Sequence, residues 1–410
     1  MTIGRTTSAA FSQGLWAKTA GQRIPLSGVA ELTRRCNMGC QHCYTNLAAS
    51  DPQALSNELS AREWCRILDE VSAAGCFYLL FTGGEVLVRD DFSTIYKHAK
   101  RQGLLVTVFT NGTLVTPAIA ALFSEWPPFQ VEISIYGATA ATHDRLTGRP
   151  GSFERCLQGI RLLLEHRVPV TLKTMALSLN AHELVAMKRL ANDELGVGFR
   201  FDALVNPRLD CSQTPLAVRL SSEQAVALDL ENPERLPEWR RFLARTLAPP
   251  QPQGQEDLLF HCGAGVCSFA IDPFGGLAPC VLFQESNYDL RSGSFAEGWQ
   301  GALAALRQRR ASRLTPCSAC HIKPMCGMCP ATAVLEAGSP EEPVTFLCEV
   351  AHLRAEVLGV AVPAHGPCSY CEPGPERDRL KVAAARLLKA FPNAIQEAGQ
   401  QPPLRVLSGA

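Results

Sequence analysis

Residues 28–43 read GVAELTRRCNMGCQHC. The first six make a short apolar run of strand length, and cysteines at 36, 40 and 43 follow with no space for another element between. A strand that ends in a three-cysteine loop fixes how the rest is read. Further runs of the same kind are FYLLFT (77–82), LLVTVFT (104–110), QVEISIY (130–136), VTLKTMAL (170–177) and GFRFDALV (198–205). Amphipathic stretches separate them. In LSAREWCRILDEVSAAG (59–75), Ser60 is placed to cap a helix and Gly75 to stop it. Asp90 and Asp91 open DDFSTIYKHAKRQG, and GSFERCLQGIRLLLEH (151–166) repeats the helical spacing. Six such units predict a parallel sheet with right-handed crossovers. Eight are needed to close a (β/α) barrel, so the expectation is an open, partial (β/α)6 barrel of α/β class.

A chain of 410 residues has room for two or three domains. Its 39 basic and 39 acidic residues give no net charge, which excludes the strongly basic face of a general nucleic-acid binder. No apolar run approaches the ~20 residues of a membrane span, and the first residues lack an export signal's apolar centre. A cytoplasmic location without membrane or nucleic-acid partners is expected. The expected division is an N-terminal segment (1–24), the partial barrel (25–248), the linker PPQPQGQED (249–257), a small Cys-rich domain (258–360) and a tail (361–410). That tail holds HGPCSYCEPG and the amphipathic helix ERDRLKVAAARLLKAF. The Cys-rich segment has little apolar periodicity, so metal sites are expected to organise it.

Seventeen cysteines are too many, and too clustered, for a reduced cytosolic chain without metal or redox chemistry. Cys65, Cys76, Cys156 and Cys211 stand alone and read as small hydrophobes. The thiols of Cys36, Cys40 and Cys43 sit in one loop and can converge on one centre. A closed zinc site needs a fourth ligand, and His42 is the only local nitrogen. A [4Fe–4S] cluster on three cysteines instead keeps one iron open, which is a catalytic arrangement.

Thr82-Gly83-Gly84-Glu85 ends the second strand, Thr110-Asn111-Gly112 the third and Ser134-Ile135-Tyr136-Gly137 the fourth, with His143-Asp144 beyond as turn caps. Ligands of β/α folds bind at such carboxyl ends. The loop Cys36-x3-Cys40-x-His42-Cys43, followed one strand later by Gly83-Gly84-Glu85, resembles the signature of the radical S-adenosylmethionine (SAM) enzymes. The resemblance implies a SAM-binding [4Fe–4S] cluster on Cys36, Cys40 and Cys43. It also implies SAM contacts from Gly83, Gly84, Glu85, Asn111, Ser134 and Lys173. For Lys173, a solvated strand end is the competing reading.

The later run, Cys262-x4-Cys267-x12-Cys280 and then Cys317-x2-Cys320-x5-Cys326-x2-Cys329 with Cys348, resembles the SPASM extension of that family. Carried over, auxiliary cluster I takes Cys262, Cys267, Cys280 and Cys329, and auxiliary cluster II takes Cys317, Cys320, Cys326 and Cys348. The interval before Cys329 is one residue shorter than the usual run. Cys368 and Cys371 add a CxxC outside the pattern, able to replace a ligand or bind another metal; two zinc knuckles are the other reading of the region.

Together the resemblances imply three [4Fe–4S] clusters with SAM. The enzyme would generate a 5′-deoxyadenosyl radical and modify a peptide or protein, as in maturation of ribosomally made peptides, with net oxidation such as crosslinking. Expected partners are the peptide, a separate leader-recognition protein and an electron donor such as flavodoxin or ferredoxin. The alternatives are a small-molecule substrate (a sugar or antibiotic precursor) and, in a different class, a non-enzymatic iron–sulfur electron carrier or zinc scaffold. No catalytic acid or base is assigned.

Overall fold

The structure is a computed structural model. It describes residues 14–392 except 17, 20, 46, 233–234, 247–257, 286–287, 314, 319, 361 and 363–367, so the expected linker and both chain ends lie outside the described residues. Two compact units are present. The first comprises Met1–Thr174, Leu179–Phe201 and Cys262–Gln308; the second comprises Met175–Ser178, Asp202–His261 and Arg309–Ala410.

The first unit is built on a nine-stranded sheet. Its strands are β1 (Ser27–Thr33), β2 (Tyr78–Gly83), β3 (Leu105–Thr110), β4 (Gln130–Ser134), β5 (Val170–Met175), β6 (Gly198–Asp202), β7 (Ser268–Ile271), β8 (Gly276–Ala278) and β9 (Tyr288–Asp289). They lie in the order β9-β8-β7-β1-β2-β3-β4-β5-β6. From β1 to β5 each pair is parallel and sequential, as the β–α alternation predicts. All six expected strands form.

The connecting helices include α1 (Ala61–Ala73), α2 (Phe92–Arg101), α3 (Pro117–Glu125), α4 (Ala140–Thr147) and α5 (Ser152–Glu165). Ser60 and Glu63 make a reciprocal capping box on α1, and Gly75 ends it at φ +99°. Asp91 precedes α2 but makes no side-chain cap. Its carboxylate instead takes the Arg89 guanidinium through two 2.8 Å bonds. A bidentate, charge-assisted pair is stronger than a single cap bond.

One sheet face is covered. Val106, Val108, Val131, Ile133 and Leu172 are buried there beside helix residues such as Ile95, Phe123 and Ile160. The alternate residues, among them Phe109, Glu132, Ser134 and Lys173, are only half-buried on the opposite face.

The stretch expected as one Cys-rich domain over 258–360 is shared between the two units. Residues 262–308 join the sheet, where β7 pairs in parallel with β1, placing Ser27 beside Ser268 and Ala30 beside Ile271. Apolar packing holds this part against β1. Phe269, Phe295 and Trp299 form a ring cluster with centroids 4.8–6.3 Å apart. A Cβ at Gly28 would come within 2.3 Å of the Phe269 ring, so that glycine admits it against β1. At four and three residues, β7 and β8 are too short for periodicity to announce them.

The second unit is mainly helical, with α6 (Ser222–Glu231), α7 (Pro330–Ala337), α8 (Thr345–Val357) and α9 (Pro375–Ala390). The last is the expected tail helix. Buried Asp229 on α6 binds Arg354 of α8 at 2.8 Å, and Arg354 lies over the Trp239 ring. Among the described residues no helix is long and apolar enough to cross a membrane.

Candidate functional site

The cysteine loop is held from four sides. At its base, the chain leaving β1 meets the turn after β2. Gly84 N–H donates to Thr33 O at 2.7 Å and Glu85 N–H to Arg35 O at 2.9 Å. The glycines are required by this approach: a Cβ on Gly83 would lie 2.0 Å from Thr33 O, and one on Gly84 2.2 Å from Arg35 O. From the third strand, Asn111 donates to Asn37 Oδ1 at 2.8 Å, while Asn37 donates to Thr113 Oγ1 at 2.9 Å. From the end of α4, Thr147 O accepts Gly39 N–H at 2.9 Å and Leu146 O accepts Gln41 N–H at 3.2 Å. Tyr44, just past the last cysteine, donates to buried Glu31 of β1 at 2.6 Å.

The three thiols bear on one another electrostatically. Burial, with the Glu85 charge next, pushes the Cys36 thiol up to about 12, and burial pushes Cys40 well above the ordinary thiol value. A cation reverses that preference, because metal binding requires the thiolates. His42 packs edge-on against Tyr136, ring centroids 4.5 Å apart, and its Nδ1 is buried without a hydrogen-bond partner among the described residues. Three thiols and an unsatisfied ring nitrogen at the carboxyl ends of parallel strands fit a cluster with one open position.

The residues singled out for SAM share this rim. The Glu85 carboxylate is wholly buried and accepts Asn111 N–H at 2.7 Å, Thr110 Oγ1–H at 2.8 Å and Leu87 N–H at 3.1 Å. Burial pushes its pKa up against these donors. The side chain ties β2 to β3. Ser134 and Lys173 are register partners on β4 and β5. Lys173 is no solvated strand end: it lies over the Phe109 ring and pairs with Glu132 at 3.8 Å, and burial lowers its pKa well below the usual lysine value. Asp144 accepts Gly151 N–H, Ser152 Oγ–H and Phe153 N–H at 2.6–2.9 Å, capping α5 as expected. Asn37 and Thr113 escaped sequence reading because each acts through partners distant in the chain.

The later cysteines fall in both units. Cys262 and Cys267 interact in the first, where Cys280 also lies. In the second, Cys329 precedes α7 and its sulfur accepts Thr332 N–H at 3.4 Å. Cys317, Cys320, Cys326 and Cys348 line a single pocket.

Gly84→Ala tests the close approach. Breaking the two backbone bonds that seat the loop should weaken SAM binding at least about tenfold, a cost near 1.4 kcal/mol. Anaerobic equilibrium dialysis with labelled SAM measures it, and an unchanged affinity would show that the turn is not part of the site.

Residues 30–191 match the model of the Radical SAM superfamily. The chain is 29% identical to an AdoMet-dependent heme synthase of Methanosarcina barkeri, covering 76% of this chain and 94% of that protein. It is 30% identical to the PqqA peptide cyclase of Rhodopseudomonas palustris, covering 76% and 82% respectively. Among solved structures, Streptococcus suis SuiB bound to precursor peptide SuiA superposes with a TM-score of 0.63 at 14% identity, over 85% of this chain and 84% of that one. That likeness is one of fold. The relatives and the three-cysteine loop seated on the strand ends agree: this chain belongs to the radical SAM superfamily and is a radical SAM enzyme.

Proposed function

We propose that this enzyme oxidatively modifies a peptide, using three iron–sulfur clusters. The observation that carries the reading is the convergence of Cys317, Cys320, Cys326 and Cys348 on one pocket, apart from the three-thiol loop. Four thiolates can ligate a [4Fe–4S] cluster completely, which suits it to carry electrons rather than bind SAM. Cys262, Cys267, Cys280 and Cys329 are the proposed ligands of the other auxiliary cluster. When bound, the first cluster and SAM supply a 5′-deoxyadenosyl radical able to abstract hydrogen. Cys36, Cys40 and Cys43 hold that cluster; Gly83 and Gly84 let backbone approach SAM; Asn111 braces the loop; Ser134 and Lys173 face SAM's polar groups. The half-buried sheet face is the surface against which substrate is held and water excluded.

A peptide substrate rests on the similarity to the peptide cyclase. A leader-recognition protein and a flavodoxin- or ferredoxin-type donor in the cytoplasm complete the proposal. The similarity to a heme synthase, over more of that protein's length, favours a second reading in which the substrate is a small molecule.

Incubation of the anaerobic enzyme with SAM, reduced flavodoxin and, in parallel arms, a peptide encoded beside it or an iron porphyrin precursor decides between them. The expected result is a peptide mass lowered by two hydrogens with formation of 5′-deoxyadenosine. The peptide reading fails if the peptide is unchanged while an iron porphyrin precursor is consumed. Iron and sulfide should each approach about twelve per chain, four per cluster. Saturation near four would remove the auxiliary clusters.

A further inference from the structure

The four-thiol pocket is also lined by His352, which belongs to a group that the proposed function does not use. His352 of α8 and the CxxC cysteines Cys368 and Cys371 are all buried, and their ligand atoms all lie within 4.8 Å of one another. His352 Nε2 is 3.2 Å from Cys371 Sγ and 3.7 Å from Cys368 Sγ. With zinc–sulfur bonds of about 2.3 Å and zinc–nitrogen bonds of about 2.0–2.1 Å, the edges of a tetrahedral site are about 3.5–3.8 Å. The three atoms are thus already near the spacing of one ion's ligands, and closer together than the thiolates around a four-iron cluster.

His352 Nδ1 lies 2.7 Å from Cys348 O, one helical turn back. A carbonyl only accepts, so Nδ1 carries the proton and Nε2 keeps its lone pair for a metal. The Cys368–Cys371 turn is closed by Cys371 N–H and Glu372 N–H, each donating to Cys368 O at 3.0 Å. This makes a compact knuckle.

We propose that His352 Nε2, Cys368 Sγ and Cys371 Sγ bind one zinc ion, distinct from the iron–sulfur clusters. The charge balance suits a buried site: one divalent cation with two thiolates and a neutral imidazole sums to zero. Zinc displaces one proton from each thiol, so uptake releases two protons and changes no oxidation state. The ion ties α9, which follows the knuckle, to α8, which carries the pocket's Cys348.

The test is metal analysis of the full-length protein, purified anaerobically and supplied with zinc, beside Cys368→Ser/Cys371→Ser. Expected is one zinc per wild-type chain, lost in the double variant with iron and sulfide unchanged. A wild-type chain without zinc overturns the proposal. So does a double variant that keeps its zinc, or one that loses iron and sulfide instead, since the cysteines would then belong to a cluster. Should the variant not fold, zinc-edge X-ray absorption of the wild type decides. One nitrogen with two or three sulfurs supports the site; four sulfurs and no nitrogen sink it. The outcome is independent of the radical chemistry, because Cys43→Ala should retain zinc whether or not the SAM assignment holds.

Discussion

Cys43→Ala should bring SAM cleavage to background while most of the iron stays. At metal sites the loss of an outer-shell partner costs about 10–100-fold, and loss of a ligand costs more. Cys43 is the last thiol of a loop whose backbone is fixed independently by Thr33, Arg35, Thr147 and Leu146. Removing one sulfur therefore leaves the loop seated and the site short of a ligand. The other proposed cluster ligands lie more than 200 residues along the chain, so iron should fall by about four per chain from about twelve. Cys36→Ala and Cys40→Ala should behave alike. The measurements are 5′-deoxyadenosine formation with a strong reductant and iron per chain. A Cys43→Ala protein that cleaves SAM near the wild-type rate would show that the cluster sits elsewhere.

The second large effect is on stability. Beneath the loop, Glu58 is 5% exposed and binds Arg35 through bonds of 3.1 and 3.0 Å, with Arg89 at 3.5 Å and Thr33 also donating to it. Arg89 further donates to Leu32 O and Leu59 O at 2.9 Å. Glu58→Ala leaves the Arg35 guanidinium buried with a single carbonyl partner, Ala49 O, among its described hydrogen bonds. Breaking a buried pair from one side costs about 3–5 kcal/mol, mostly the penalty of the charge left behind. Hydrogen exchange of the β1 and β2 amides should accelerate at least about a hundredfold, since each 1.4 kcal/mol is a factor of ten. A loss below about 1 kcal/mol would mean that water or a shifted side chain satisfies Arg35. Glu58→Gln, which keeps acceptor geometry without the charge, should fall between.

Much of this protein was legible before any fold was known, for a local reason. Strands β1–β6 announce themselves as apolar runs, and Ser60 and Gly75 bound α1 by their own backbone chemistry. The cysteine loop and Gly83-Gly84 sit at strand ends because chain connectivity puts them there. The sequence by itself therefore determined the parallel sheet, the rim on which the site lies and the identity of the loop's thiols.

Tertiary structure decided what depends on partners remote in sequence. Glu85 reads only as a strand-end carboxylate until Thr110 and Asn111 are seen to donate to it. Asp91 reads as a helix cap until Arg89 claims it. Residues 262–308 give no strand signal until β7 is found paired with β1, with Phe269 packed over Gly28. His352, in a helix, carries no sign of Cys368 and Cys371 until the fold brings them within 4 Å. In each case the local signal is compatible with two roles, and the choice falls to whichever partner the fold delivers at bonding distance, where burial makes an unmet polar group costly.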